Sequence, residues 1–192
     1  LAYARGGKYH AQIFSVSDYI LKTIEKFRLN LPLMLTMIDD ICAKDFFIKA
    51  DKNQLEMLIF SVLENAVEAT QEMGTVIVLC EKEDPVQIDF LKNGIINSDV
   101  SYVCLTIIDD GIGMDAVTRD RIFEPFFTTK FEGRGLGLSA AYGIVKNHEG
   151  YIFIDSKLGK GTTATYKFLI RRVLNILKKT LLFCSSKMMT RL

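Results

Sequence analysis

The sequence predicts an α/β two-layer sandwich, a mixed β-sheet packed on helices. Three observations carry this. Segments with strand-like and helix-like apolar periodicity alternate along the chain. One long segment, Lys52 to Met73, keeps Leu55, Leu58, Ile59, Val62, Leu63 and Ala66 on one helical face. A glycine-rich section then leads into a helix and a hairpin pattern, which adds antiparallel strands. With 192 residues, 49% hydrophobic and 24% charged, the chain has the composition of one ordinary globular domain. A chain of this size buries roughly 70% of its unfolded surface, so its core needs no metal or disulfide staple. Disordered, collagen-like and coiled-coil classes are excluded.

The elements follow in order. Leu1 to Arg5 are good helix formers stopped by Gly6-Gly7, the chemistry of a helix C-terminus. Ser15 to Asn30 reads as a helix, with Ile20, Leu21, Ile24 and Phe27 at helical spacing before Pro32. Leu33 to Ile41 and Phe46 to Ala50 read as strands. Asp51 followed by Gln54 is a capping-box pattern that opens the long helix, and Gly74 is expected to close it. Thr75 to Lys82 and Tyr102 to Asp109 read as strands joined by the polar stretch Glu83 to Ser101. Leu136 to His148 is predicted as a helix capped by Gly150. Tyr151 to Ser156 and Thr162 to Ile170 should form a hairpin around Leu158-Gly-Lys-Gly.

Lys and Arg number 24 against 23 Asp and Glu, but the near balance hides an asymmetry. Arg171, Arg172, Lys178, Lys179, Lys187 and Arg191 crowd a tail that has no acid, so the body is mildly acidic and a nucleic-acid-coating role is disfavoured. In that tail Val173, Leu174, Leu177 and Leu181 fall on one side of a helix with lysines opposite, which suits a partner or membrane surface and equally a poorly ordered extension. The scattered cysteines, Cys42, Cys80, Cys104 and Cys184, form no Cys-x-x-Cys pair, which argues for a reducing, cytoplasmic setting. No signal peptide or apolar span of membrane length is expected.

Nine of the 13 glycines lie between Gly111 and Gly161. Such crowding marks tight turns or backbone that approaches a ligand closely. Within it, Ile107-Ile-Asp-Asp-Gly-Ile-Gly-Met114 carries an apolar strand into Asp109, Gly111 and Gly113. A carboxylate at the end of a buried strand needs a partner, and an adenine amine is one donor it accepts from; a plain turn is the alternative. Gly133-Arg-Gly-Leu-Gly-Leu138 opens a helix whose free N–H groups and dipole suit phosphate. Neither a Walker A loop nor a dinucleotide fingerprint occurs. On the long helix, Ser61, Asn65 and Glu68 share a polar face. The Asn65 amide oxygen suits Mg²⁺, whereas Glu68 reads equally as part of a solvated face.

In order, Glu64-Asn65-Ala66, Asp109-Asp-Gly-Ile-Gly113, Ile122-Phe-Glu-Pro-Phe-Phe-Thr-Thr-Lys130, Gly133-Arg-Gly-Leu-Gly-Leu138 and Gly159-Lys-Gly-Thr162 resemble the N, G1, F, G2 and G3 boxes of the histidine-kinase ATPase domain. The resemblance spans about Ser15 to Ile170 and is nearest to two-component sensor kinases of the nitrogen-regulator-like or hybrid type within the GHKL superfamily. It implies the Bergerat fold, with ATP between the helices under a lid from about Asp115 to Gly133. It implies that Asn65 holds Mg²⁺, that Asp109 accepts from the adenine amine with Gly111 and Gly113 beside it, and that Thr162 assists through water. By the same resemblance Gly135, Leu136, Gly137 and Leu138 cradle the phosphates with Gly133 and Arg134, and Thr128, Thr129 and Lys130 form a mobile edge near the γ-phosphate. Arg134 reads equally as a solvated side chain. Phe123, Phe126 and Phe127 are expected to anchor the lid on the core, and His148 to be a helix-end residue.

The implied domain organisation is the end of a dimerisation and phosphoacceptor helix over 1–10, the ATPase domain over 11–170 and a basic tail over 171–192. The implied partners are a phosphoacceptor histidine domain and a response-regulator receiver domain, in a full-length homodimer. No residue is assigned as nucleophile or general base. Ser61 stands where the family's N box carries a second Asn, and where hydrolytic relatives place a water-activating Glu. Ala69 stands where some sensor kinases put an aromatic, and Glu68 where some put a basic residue. His10 lies beyond the Gly6-Gly7 stop and is followed by Ala11, unlike a phosphoacceptor. A related ATPase or serine kinase, and a non-catalytic nucleotide-binding module, are the alternative readings.

Overall fold

Apolar residues on three long strands, Thr75–Glu83, Tyr102–Asp109 and Thr162–Leu169, build the centre of the molecule. The computed structural model describes residues 9–42, 46–83, 101–130 and 134–170. The readings made for residues 1–8, for most of the Glu83 to Ser101 connection, for Gly133 and for the tail from Arg171 lie outside the described residues. The order is β1 (Gln12–Ser15), α1 (Val16–Arg28), β2 (Thr36–Ile41), β3 (Phe47–Ala50), α2 (Lys52–Ala69), β4 (Thr75–Glu83), β5 (Tyr102–Asp109), α3 (Ala116–Arg121), α4 (Gly137–Asn147), β6 (Tyr151–Ser156) and β7 (Thr162–Leu169). Five strands form one sheet in the order β2-β4-β5-β7-β6, parallel between β2 and β4 and antiparallel elsewhere.

Because side chains alternate across a strand, Val103, Leu105 and Ile107 of β5 point to one side, and their partners Cys80, Val78, Ala164, Tyr166 and Phe168 join them there. These residues are buried with Ile20 and Ile24 of α1, Leu55, Leu58, Ile59, Val62 and Leu63 of α2, and Ala141, Ile144 and Val145 of α4. The result is the expected sandwich, with α1, α2 and α4 against a mixed sheet.

Some boundaries differ from those expected. Strand β1 was not anticipated: only Phe14 of its residues is buried, so no alternation marks it, and it forms by pairing antiparallel with the distant β3. Strand β2 begins at Thr36 because the Leu35 N–H bonds back to the Pro32 carbonyl in a turn that leaves Leu33 and Met34 in solvent. Helix α2 stops at Ala69 and not at Met73: Gln71 and Glu72 turn left-handed, and the Ile112 N–H takes the Ala69 carbonyl at 2.9 Å. Helix α3 lies inside the stretch expected to be lid. At the end of α4, Glu149 adopts the left-handed conformation expected of Gly150, while the Gly150 N–H bonds to the Val145 carbonyl at 2.9 Å.

Asp51 caps the N-terminus of α2 as the sequence implies, but the reciprocal half of the capping box does not form, because the Asp51 N–H bonds to His148 and not to Gln54. Asp51 Oδ1 accepts from the N–H groups of Asn53 and Gln54, and Oδ2 accepts from the His10 N–H at 2.7 Å. Burial alone would raise this carboxyl; the donated N–H groups outweigh it and hold Asp51 below its ordinary value. His148, buried at the C-cap of α4, uses both ring nitrogens. Nε2 accepts from the Asp51 N–H at 2.9 Å and Nδ1 donates to the Ile144 carbonyl at 2.7 Å. It ties the far ends of α2 and α4 together, and burial keeps its pKa below the ordinary value. Among the described residues no helix is long and apolar enough to cross a membrane.

Candidate active site: a cleft between α2, α4 and the sheet edge

Strand register places a polar row immediately beyond the apolar core. Asp109 continues the series Val103, Leu105, Ile107 by two residues, so its carboxylate is on the core side of β5. It pairs in register with Thr162 of β7, which pairs with Ser156 of β6. Ser156 Oγ accepts from the Met114 N–H at 2.9 Å, donates to the Gly161 carbonyl at 3.1 Å and lies 3.0 Å from Thr162 Oγ1. Asp109 is only 7% exposed. Burial raises its pKa above the ordinary value, and nearby Asp110 adds to this; the N–H groups of Gly111 and Thr162 oppose both incompletely. The carboxylate is thus a desolvated acceptor that a ligand donor would stabilise.

A cavity of about 840 Å³ opens above this row, in the usual size range for a ligand site. Its apolar floor is Ile107, Ile154, Ala164 and Tyr166, and α2 contributes Val62, Asn65, Ala66 and Ala69 as one wall. Asn65, Asp109, Gly113, Thr128, Thr129, Lys130, Arg134, Gly135, Leu136, Gly137, Leu138 and Thr162 all line it. Gly111 does not. A Cβ at Gly111 would meet the Ala69 carbonyl at 2.4 Å, so this position serves the close crossing of its own loop over the end of α2 rather than an approaching ligand. Its N–H still reaches the site by donating to Asp109 Oδ1 at 3.0 Å.

The opposite end of the cleft is electrostatically different. Helix α4 begins at Gly137, and among the described residues no side chain caps it, which leaves its N-terminal dipole available to an anion. A Cβ on Gly137 would lie 2.7 Å from Ser61 Oγ, so the two helices cross closely here and Ser61 sits at the crossing. The Asn65 amide is fixed by donating from Nδ2 to the Ser61 carbonyl at 2.6 Å, and its Oδ1 accepts from Lys130 Nζ at 3.1 Å. Lys130 also pairs with the Glu68 carboxylate. The amide oxygen is therefore already turned to a cation, and an ammonium stands where a hard divalent ion would find the oxygen donor it prefers. This arrangement fits Mg²⁺.

The loop between β5 and α4 does not pack as expected in every part. Phe123 stacks near Tyr142 of α4, with ring centroids 5.3 Å apart, and Phe127 lines the cavity under the Arg121 guanidinium. Phe126 is 75% exposed with a left-handed backbone, so it is not a core anchor; the buried anchor is Ile122. His148 is remote from the lining, in the helix-end position expected. Ser156, Thr118 of α3 and Tyr166 were not foreseen as part of the site. Register against Thr162 was the one signal able to find Ser156.

Residues 50–172 match the family of histidine kinase-, DNA gyrase B- and HSP90-like ATPases. The chain belongs to this family. Over 133 residues the ATPase domain is 34% identical to sporulation kinase E of Bacillus subtilis (strain 168), covering 69% of this chain and 15% of that protein. It is 36% identical over 132 residues to the sensor kinase CckA of Brucella abortus (strain 2308), covering 66% and 13%. The chain therefore spans about 13 to 15% of the length of these curated relatives. Among solved structures, the mycobacterial sensor histidine kinase MprB superposes with a TM-score of 0.67 at 22% identity, covering 84% of this chain and 99% of that one. The five-stranded sheet and its helices are thus those of a histidine-kinase-like ATPase domain.

Proposed function

We propose that residues 11–170 are the ATP-binding catalytic domain of a two-component sensor histidine kinase, which transfers the γ-phosphoryl group of ATP to a histidine on a separate phosphoacceptor domain. The observation that carries this reading is the desolvated Asp109 carboxylate at the end of an apolar cleft whose other end presents an uncapped helix N-terminus and cation-facing Asn65. Asp109 accepts from the exocyclic amine of adenine, and Thr162 with Ser156 orders the water beside it. Ile107, Ile154 and Ala164 receive the flat faces and edges of the base. At the other end, the Gly135 to Leu138 turn donates backbone N–H groups to the phosphates, and Arg134, Thr128, Thr129 and Lys130 approach the terminal phosphate. Asn65 holds Mg²⁺, which neutralises charge on the triphosphate when bound. Positioning and charge neutralisation are most of what phosphoryl transfer asks of a protein. Ser61 offers no carboxylate to activate water, which favours transfer to a protein acceptor over hydrolysis.

In this reading residues 1–10 belong to the end of a dimerisation and phosphoacceptor domain, residues 171–192 are a basic tail, and the full-length protein is a homodimer that passes the phosphoryl group to a receiver domain in the cytoplasm. The test is calorimetric titration with a non-hydrolysable ATP analogue and Mg²⁺. Wild type is expected to bind, and Asp109→Asn to bind about tenfold to a hundredfold more weakly, the cost of losing a hydrogen bond to a charged group. Equal affinity of the two proteins refutes the assignment of Asp109. Addition of a sensor-kinase phosphoacceptor domain and labelled ATP then reports the transfer itself.

A further inference from the structure

Lys130 makes a contact in the cleft that has no part in holding the nucleotide. Its ammonium lies between the Asn65 amide oxygen and the Glu68 carboxylate, two residues three apart on α2 and so on one face. Among the described residues, Lys130 and Arg134 are the only cations lining the cleft, so an ion pair that engages Lys130 removes much of the positive charge available to a phosphate. The pair is about half exposed on both sides. Solvent-screened pairs of this kind are weak, so Glu68 competes for the lysine without locking it.

We propose that Glu68 sets the discrimination between nucleoside triphosphate and diphosphate by competing with the terminal phosphate for Lys130. Glu68 holds the ammonium beside Asn65; with a triphosphate bound, Lys130 exchanges from Glu68 to the terminal phosphate. A diphosphate has no such group to offer, and the lysine stays with Glu68. The carboxylate thereby weakens triphosphate binding selectively and keeps Lys130 exchangeable. This deepens, and rests on, the assignment of the cleft to ATP.

The experiment is a double-mutant cycle read by calorimetric dissociation constants for ADP and a non-hydrolysable ATP analogue, both with Mg²⁺ at low ionic strength. Glu68→Gln is expected to tighten the triphosphate analogue by about twofold to fivefold and ADP by clearly less. In the Lys130→Gln background the gain from Glu68→Gln should disappear. Both side chains are solvent-accessible, and unchanged thermal melts confirm that the variants fold. An equal gain for both nucleotides that persists without Lys130 shows Glu68 to be a plain repelling charge and overturns the proposal, as does no gain at all. If nucleotide binds in an Asp109-dependent way but without this coupling, only the exchange is lost; if wild type binds neither nucleotide, the ATP reading falls with it.

Discussion

At one end of the cleft, Asp109, Thr162 and Ser156 are held by the register of three hydrogen-bonded strands and by backbone N–H groups. At the other, Thr128, Thr129, Lys130 and Arg134 are exposed on connecting segments, and the contacts of Lys130 with Asn65 and Glu68 are solvent-accessible side-chain bonds. The first arrangement is rigid and costs stability, because a desolvated carboxylate waits for a donor. The second costs little and rearranges easily. A base has a fixed outline that a preformed acceptor can read, whereas a phosphate chain that is bound, cut and released calls for groups able to move.

The largest test of this contrast is Gly161→Ala. Gly161 has φ +80°, and an added Cβ would lie 1.9 Å from the Asp109 carbonyl oxygen, so strain falls directly on the rigid end. A loss of roughly 2–4 kcal/mol in denaturant unfolding is expected; an effect below about 0.5 kcal/mol would show that this end yields as readily as the other. Next is Asp109→Asn in the absence of ligand. A pKa raised in the folded state means that the carboxylate costs nothing while protonated and destabilises the fold as pH rises from its ordinary range through the raised value. The Asn variant should therefore melt higher than wild type at neutral pH, with the gap closing towards about pH 4; a gap independent of pH removes the cost assigned to desolvation.

Tyr166→Phe probes the floor. The Tyr166 hydroxyl is fully buried with no hydrogen-bond partner among the described residues, and burial pushes its pKa far up. Removing it should leave stability unchanged or raise it by about 1 kcal/mol, and a clear destabilisation would reveal an ordered water at that site. The smallest effect is expected from Arg134→Gln at the exposed end: unfolding should change by no more than about 0.5 kcal/mol, while nucleotide affinity becomes less sensitive to salt. A large loss of stability there would mean that the phosphate end also supports the fold.

The sandwich was legible because the long elements obey their own periodicity: the α2 face, the Ile107–Ile108–Asp109 run and the terminal hairpin each carry a local signal. Less of the rest was legible. Strand β1 has one buried residue and exists through its partner β3, and the end of α2 is decided by an Ile112 N–H that arrives from another part of the chain. The roles of individual glycines were misread for the same reason. Gly111 and Ala69 are distant in sequence, and only their crossing explains why a side chain is excluded.

Taken alone, the order of residues pointed to Asn65, Asp109, Thr162 and the Gly135 turn as cleft groups, since they occur as spaced motifs on elements that periodicity predicts. It also included Gly111, which does not line the cleft, and left out Thr118 and Tyr166, which do. Tertiary structure decided how those groups are charged and paired: that Asp109 is desolvated, that Ser156 joins Thr162, that Phe126 faces solvent, and that Lys130 rests on Glu68 and Asn65. The physical reason is that motif spacing is a local property of the chain, whereas burial and pairing depend on which distant segments come to lie alongside.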